Sequence, residues 1–166
     1  MKSRAFSILV AAFLTLGLAN IAAADDAEVL QRVVDTEEIH HLMWRYARAL
    51  DTRDAEGYAA TFTADGQFGT GPGATKGTAA LTAMIAGLGQ APATDAPRPQ
   101  MYHMTANYWL EFVDTDNAKL HAYWITDVSA AGDTPARLAA VGRSVDTLVR
   151  TNDGWRIHIR DIAPQD

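Results

Sequence analysis

The sequence predicts an α+β fold: three N-terminal helices packed on one face of a curved, mostly antiparallel sheet. Three observations carry this. Residues 28–50 space their apolar positions in steps of three and four, as an amphipathic helix does. From Gln100 onward the chain alternates apolar and polar residues and is rich in aromatics, as strands are. Two turn signals, Asp114-Thr115-Asp116-Asn117 and Thr151-Asn152-Asp153-Gly154, then cut that stretch into hairpin-length pieces.

The helical stripe from Glu28 to Leu50 comprises Leu30, Val33, Val34, Ile39, Leu42, Met43, Tyr46, Ala47 and Leu50. A break follows, and Asp54 caps a short second helix in which Tyr58 and Phe62 share a face. Residues 63–68 turn the chain, with Phe68 opening a short strand, and residues 69–77 form a loop. Thr78–Leu88 is an alanine-rich third helix. The proline-rich segment Gly89–Pro99 is too short for a domain linker and is expected as a loop over one end of the fold. Strands are expected at residues 100–113, 118–128, 137–150 and 155–162.

Residues 1–24 stand apart from this pattern. Lys2 and Arg4, an apolar run from Ala5 to Ala19, and Ala22-Ala23-Ala24 ahead of Asp25 have the three parts of a secretory signal peptide. Asn20 interrupts an apolar stretch already near the minimum for a bilayer span, which favours cleavage over anchoring. The expected mature domain is therefore 25–166, periplasmic or secreted, with no stable membrane insertion. Without Lys2 and Arg4 it carries 12 basic and 20 acidic side chains, a net charge of −8, which argues against a nucleic-acid partner. There is no cysteine, which excludes a thiol nucleophile, thiolate metal sites and disulfides. At 48% hydrophobic residues, the chain has enough apolar material for a core of its own.

Few residues remain for chemistry. Five residues separate Tyr46 from Asp51, about 140° around a helix, so the two converge only if the helix ends near Leu50. Otherwise Asp51 is a helix stop and Tyr46 a core aromatic. Strict alternation places His103, Thr105, Asn107 and Trp109 on one side of their strand, either lining a cavity or facing solvent. His121 shares its side with Tyr123 and Ile125, while Arg143 and Asp146 point to opposite sides, so at most one of them belongs to a pocket. His158 and Arg160 are expected on a solvated or interface face, and the adjacent His40 and His41 at surface or packing positions. The five histidines show neither an H-x-x-x-H nor an H-E-x-x-H spacing, so no metal is expected. The Gly69–Gly73 glycines lack the strand-to-helix context of a dinucleotide loop, and no serine sits in a G-x-S-x-G elbow.

The order of the pieces resembles a known family. Tyr46-x4-Asp51 ends the long helix, Phe62-Thr63-Ala64-Asp65-Gly66 follows, and Gly77–Leu81 opens the third helix. His103 and Asn107 lie on the first long strand, and Gly142–Ile157 forms the closing hairpin. This is similar to the SnoaL-like branch of the nuclear transport factor 2-like superfamily, across essentially the whole mature chain. The resemblance implies a cone-shaped α+β barrel with one apolar pocket. It places Tyr46, Asp51 and His103 like the acid/base residues of scytalone dehydratase, bile-acid 7α-dehydratase and hexachlorocyclohexane dehydrochlorinase. It implies that Asp51 orients His103, that His103 removes a proton from carbon, and that Tyr46 or His121 donates to a carbonyl or leaving group. Asn107, His121, Tyr123 and Asp146 form the set expected to contact substrate.

The function expected on this basis is that of an exported lyase of the dehydratase type, acting without metal or organic cofactor on a small, largely apolar molecule, cyclic ones included. Two alternatives stand beside it. One is a non-catalytic binding or accessory module that holds a hydrophobic ligand. The other is a ketosteroid-isomerase-like enzyme whose carboxylate base is Asp127 or Asp146. Tyr108, Trp124 and Leu148, expected on the outer sheet face, suggest a homo-oligomer, a dimer or a trimer.

Overall fold

A computed structural model describes residues 4–88, 99–129 and 135–165, with side chains from Asp26 onward. Residues 89–98 of the expected loop, and the side chains of the expected signal segment, lie outside the described residues. The chain divides into two units, residues 1–37 and residues 38–166, and α1 (Arg4–Thr52) runs through both. In the first unit α1 is the only element described. Leu30, Val33 and Val34, expected on an inward stripe, are exposed there.

The second unit holds the remainder of α1, α2 (Ala55–Ala59) and α3 (Thr78–Leu88). Its sheet has six strands: β1 (Phe62–Phe68), β2 (Thr75–Lys76), β3 (Gln100–Phe112), β4 (Asn117–Ser129), β5 (Arg137–Thr151) and β6 (Gly154–Asp161). Their order is β2-β1-β6-β5-β4-β3, with only the β1–β6 pair parallel. This is the predicted α+β architecture of three helices on a curved, mostly antiparallel sheet.

The core follows from spacing. On α1, Ile39, Leu42, Met43, Tyr46 and Ala49 recur every three or four residues and are buried. Leu81 and Ile85, four apart on α3, are fully buried, and the sheet contributes Ala118, Leu120, Ala122, Leu148, Trp155 and Ile157. Asp54 caps α2, its Oδ1 accepting the Gly57 backbone N–H at 2.9 Å. Tyr58 and Phe62 do meet, their rings 5.3 Å apart, although α2 ends before Phe62.

Three expectations are corrected. Phe68 ends β1 rather than opening it, because residues 62–68 pair with β6 in spite of the Asp65-Gly66 turn signal. The pairing absorbs Gly66 as an irregularity: a Cβ there would lie 3.0 Å from both the Ile157 and Thr63 carbonyl oxygens. The expected loop at 69–77 contains a 3-10 turn, Gly71–Gly73, and the short strand β2.

The third correction concerns which side chains face the helices. Ala106 pairs with Tyr123 but Trp109 pairs with His121, so β3 carries one extra residue at Asn107–Tyr108. Asn107 takes the left-handed backbone conformation, with φ of 45°, as a bulge residue can. Beyond it the two faces exchange. On β6, Ile157 pairs with Leu148 and Ile159 with Thr147, so His158 is a second extra residue and Arg160 swings inward. Leu148 is accordingly a core residue, and Tyr108 and Trp124 line cavities beneath the sheet. None of the three forms the outer patch expected of them; that face exposes Trp109, Tyr123 and Val141 instead.

Removal of the α2 cap by Asp54→Ala is expected to lower the unfolding free energy by about 1 kcal/mol, read as a fall in the urea midpoint at unchanged m-value.

Candidate active site

The last turn of α1 holds the first component. The helix continues through Asp51 and Thr52 and stops at Arg53, which adopts a left-handed φ of 58°. The Asp54 N–H then bonds back to the Ala49 carbonyl at 2.8 Å. Tyr46 and Asp51 therefore stay on different sides of a regular helix, and the expected convergence through an early helix end does not occur. Tyr46 is buried against Tyr58 and Phe62, with ring centroids at 5.1 and 6.1 Å. Asp51 reaches β3.

Asp51 Oδ1 accepts two hydrogen bonds from one residue: the His103 ring Nδ1–H at 2.7 Å and the His103 backbone N–H at 3.0 Å. β3 is an edge of the sheet among the described residues, so this N–H has no strand partner on that side. A carboxylate only accepts, so the bond assigns the proton to Nδ1 and leaves the Nε2 lone pair unprotonated in the neutral ring. Arg53 adds a second tie, its guanidinium donating to the Pro99 carbonyl at 2.9 Å just ahead of β3. The two side chains of the pair are about one fifth and one eighth exposed.

His103 lines a cavity of about 180 Å³ between α1 and the sheet. Leu50, Phe68, Ile125 and Ile162 give it apolar walls, and Tyr46, Thr105, Trp124 and Arg160 add polar atoms. Asp51 is behind the imidazole and does not line the cavity.

Arg160 is the residue that strict alternation missed. It is 3% exposed, pairs with the fully buried Asp146 opposite it on β5, and lies over the Tyr46 ring with 4.4 Å to the centroid. Burial works against its charge, and Asp146 with Tyr46 and Tyr58 outweighs that, holding the guanidinium protonated. Burial pushes the Asp146 carboxyl above the ordinary carboxylate range, against the pull of Arg160. The Tyr58 phenol is likewise pushed up by burial, with Tyr46 adding to it. Asp146 shares the inward side of β5 with Ser144 and Leu148, and a buried carboxylate calls for a cationic partner; with Leu148 expected outward and the side of Asp146 left open, nothing in the sequence pointed to Arg160.

The other expected site residues divide as follows. Asp146 does face inward, Arg143 outward, but the carboxylate of Asp146 is engaged by Arg160. Asn107, His121 and Tyr123, expected to contact substrate in the pocket, line a depression of about 220 Å³ on the opposite face of the sheet, together with Trp109 and Arg143. The bulge at Asn107 is the reason for Asn107; His121 and Tyr123 follow the outward parity of β4, where Ala118, Leu120 and Ala122 point in. His121 there stacks on Trp109 at 4.8 Å and meets Glu111 at 3.3 Å. Arg160, expected on a solvated face, is the reverse correction. Among the described residues no three His, Asp or Glu side chains gather as a metal site.

A carboxylate-backed imidazole facing an apolar cavity, under a sheet curved over three helices, defines an acid/base-capable pocket of the cone-fold class. Residues 31–161 match the SnoaL-like domain, and the chain belongs to that family. No curated protein matches it in sequence. It is similar in structure to an NTF2-like protein with a cystatin-like fold from Novosphingobium aromaticivorans, at 25% identity and a TM-score of 0.67 over 84% of this chain and 88% of that one. It is also similar to ActVI-ORFA from Streptomyces coelicolor, at 26% identity and a TM-score of 0.66 over 76% and 93%. Rv3472 from Mycobacterium tuberculosis, a protein of unknown function, shares the fold at 24% identity and a TM-score of 0.66 over 80% and 77%.

Breaking the buried pair from one side strands a charge in the core. Arg160→Met is therefore expected to cost about 3–5 kcal/mol in urea unfolding, and the double variant Asp146→Leu/Arg160→Met to recover most of that loss.

Proposed function

We propose that the chain is a lyase that removes a proton from carbon with His103 and expels water or another leaving group. The observation that carries this is the pair of hydrogen bonds that Asp51 Oδ1 accepts from the ring and backbone N–H groups of His103, which orients the imidazole at the cavity wall. In this reading Nε2 takes the proton from a carbon next to a carbonyl, and Asp51 stabilises the imidazolium that forms. The electron pair moves toward the carbonyl oxygen, where the Arg160 guanidinium meets the developing charge. As the carbon–carbon double bond forms, the carbon–oxygen bond to the leaving hydroxyl breaks. The proton held on His103, or that of the Tyr46 phenol with His103 resupplying it, converts the leaving hydroxide to water, so charge and atoms balance. The SnoaL-like family includes polyketide cyclases and dehydratases, which supports an enzyme of this type.

The two alternatives fare unequally. An isomerase with a strand carboxylate as base draws no support from Asp146, which is bound to Arg160, or from Asp127, which does not line the cavity. A binding module would use the same apolar walls but would have no need of a carboxylate behind the imidazole. The lyase reading goes with export after loss of residues 1–24, which N-terminal sequencing of secreted protein would check. Exposed Trp109, Tyr123 and Val141 support self-association of the chain through that sheet face.

The proton-abstraction half of the reaction is testable without the natural substrate. Acetophenone in D2O should exchange its methyl hydrogens faster with protein than without, followed by proton NMR. His103→Ala is expected to cut the accelerated exchange at least about a hundredfold. Asp51→Asn should cut it about as much, because an amide does not enforce the Nδ1–H tautomer. Equal exchange with wild-type and His103→Ala protein would end the assignment of His103 as the base.

A further inference from the structure

A second cavity, of about 300 Å³, adjoins the first. Ile39, Met43 and Trp44 of α1 and Tyr108 and Leu120 of the sheet wall it, and the His40 ring meets Tyr108 edge-on at 4.8 Å. Three residues line both spaces: Ala47, His103 and Thr105. The imidazole therefore sits where the linings of the two cavities meet.

The chemistry of the two chambers differs. Tyr46 and the buried Arg160 belong to the first alone, so the charged group is at that end. The walls of the second are mostly hydrocarbon and aromatic. Ala47 presents only a methyl group at this shared boundary, where a longer side chain would fill space between the two cavities. Apolar surface left facing water in the second chamber is a standing cost that an apolar group of the same molecule would remove.

We propose that the two cavities form one binding space, and that its ligand is a rod-shaped molecule with an oxygen-bearing head and an apolar tail. The head, a carbonyl or enolate oxygen, lies against Arg160 and Tyr46. The tail, an alkyl chain or a second ring, passes Ala47 and packs against Ile39, Met43 and Leu120. His103 then touches the middle of the molecule, so the carbon that loses its proton lies at the junction of head and tail and not at a terminus. The last step rests on the lyase reading; the two-chamber arrangement does not.

Phenyl alkyl ketones from acetophenone to octanophenone provide the test, bound to the full chain and measured by titration calorimetry and tryptophan emission. Affinity should rise about three- to fourfold per methylene beyond the length the first chamber holds. The longer ketones should also perturb Trp44, seen as a part of the emission change that disappears in Trp44→Phe, whereas acetophenone should not. Ala47→Phe, checked for folding by its melting temperature, should flatten the chain-length series. Affinity that levels off at the shortest ketones overturns the proposal. So does an emission response to the long ketones that is the same in wild type and Trp44→Phe. Neither outcome touches the deuterium exchange of acetophenone, which reports on the base alone.

Discussion

One carboxylate oxygen ties the end of a helix to the edge of a sheet. Asp51 Oδ1 takes the ring N–H and the main-chain N–H of the same residue, His103, so a single acceptor fixes both where β3 lies and how its imidazole is turned. The arrangement serves two purposes. An edge strand carries backbone donors that need a partner, and the carboxylate supplies one. The same contact orients the imidazole that the proposed reaction uses as its base. A side chain held at two points has little freedom left to lose in a reaction, which is the condition for preorganised acid/base chemistry.

The cavity depends on that tie and on a second polar device, the Asp146–Arg160 pair. Both groups are almost wholly out of water, and Arg160 is additionally sandwiched against the Tyr46 ring. Replacing such a pair with hydrocarbon would often serve stability as well or better. The pair instead keeps a positive charge at the cavity wall, where the proposed reaction would develop an oxyanion. The two devices divide the work: Asp51 sets the geometry of the His103 imidazole, and Asp146 holds the Arg160 cation in place.

Much of this was legible in the sequence, and what was not has a common cause. The helix spacing at Ile39, Leu42, Met43 and Tyr46, the Asp54 cap, the bounds of α3 and the four long strands came from local pattern, because each is decided within a few residues. The Asp51–His103 contact was legible only through family resemblance, since nothing local brings residues 52 apart together. The errors trace mainly to tertiary pairing. Asp65-Gly66 signals a turn, but parallel pairing with β6 overrides it. Period-two alternation failed beyond the bulges, which removed Asn107 from the pocket and hid Arg160; on β4, where no bulge intervenes at His121 and Tyr123, alternation alone did not say which side faces the helices. Leu30, Val33 and Val34 show the opposite limit: a correct helical period does not say what, if anything, covers the stripe.

The extra residue at Asn107–Tyr108 has a consequence for how this strand can drift. Loss of either residue would let plain alternation run from Ala106 to Trp109 in the register the strand already holds with His121 and Leu120, so Trp109 would stay outward and Leu110 inward. The bulge is thus a place where the strand can shorten by one residue without turning the side chains beyond it, and the left-handed asparagine is where that slack is stored.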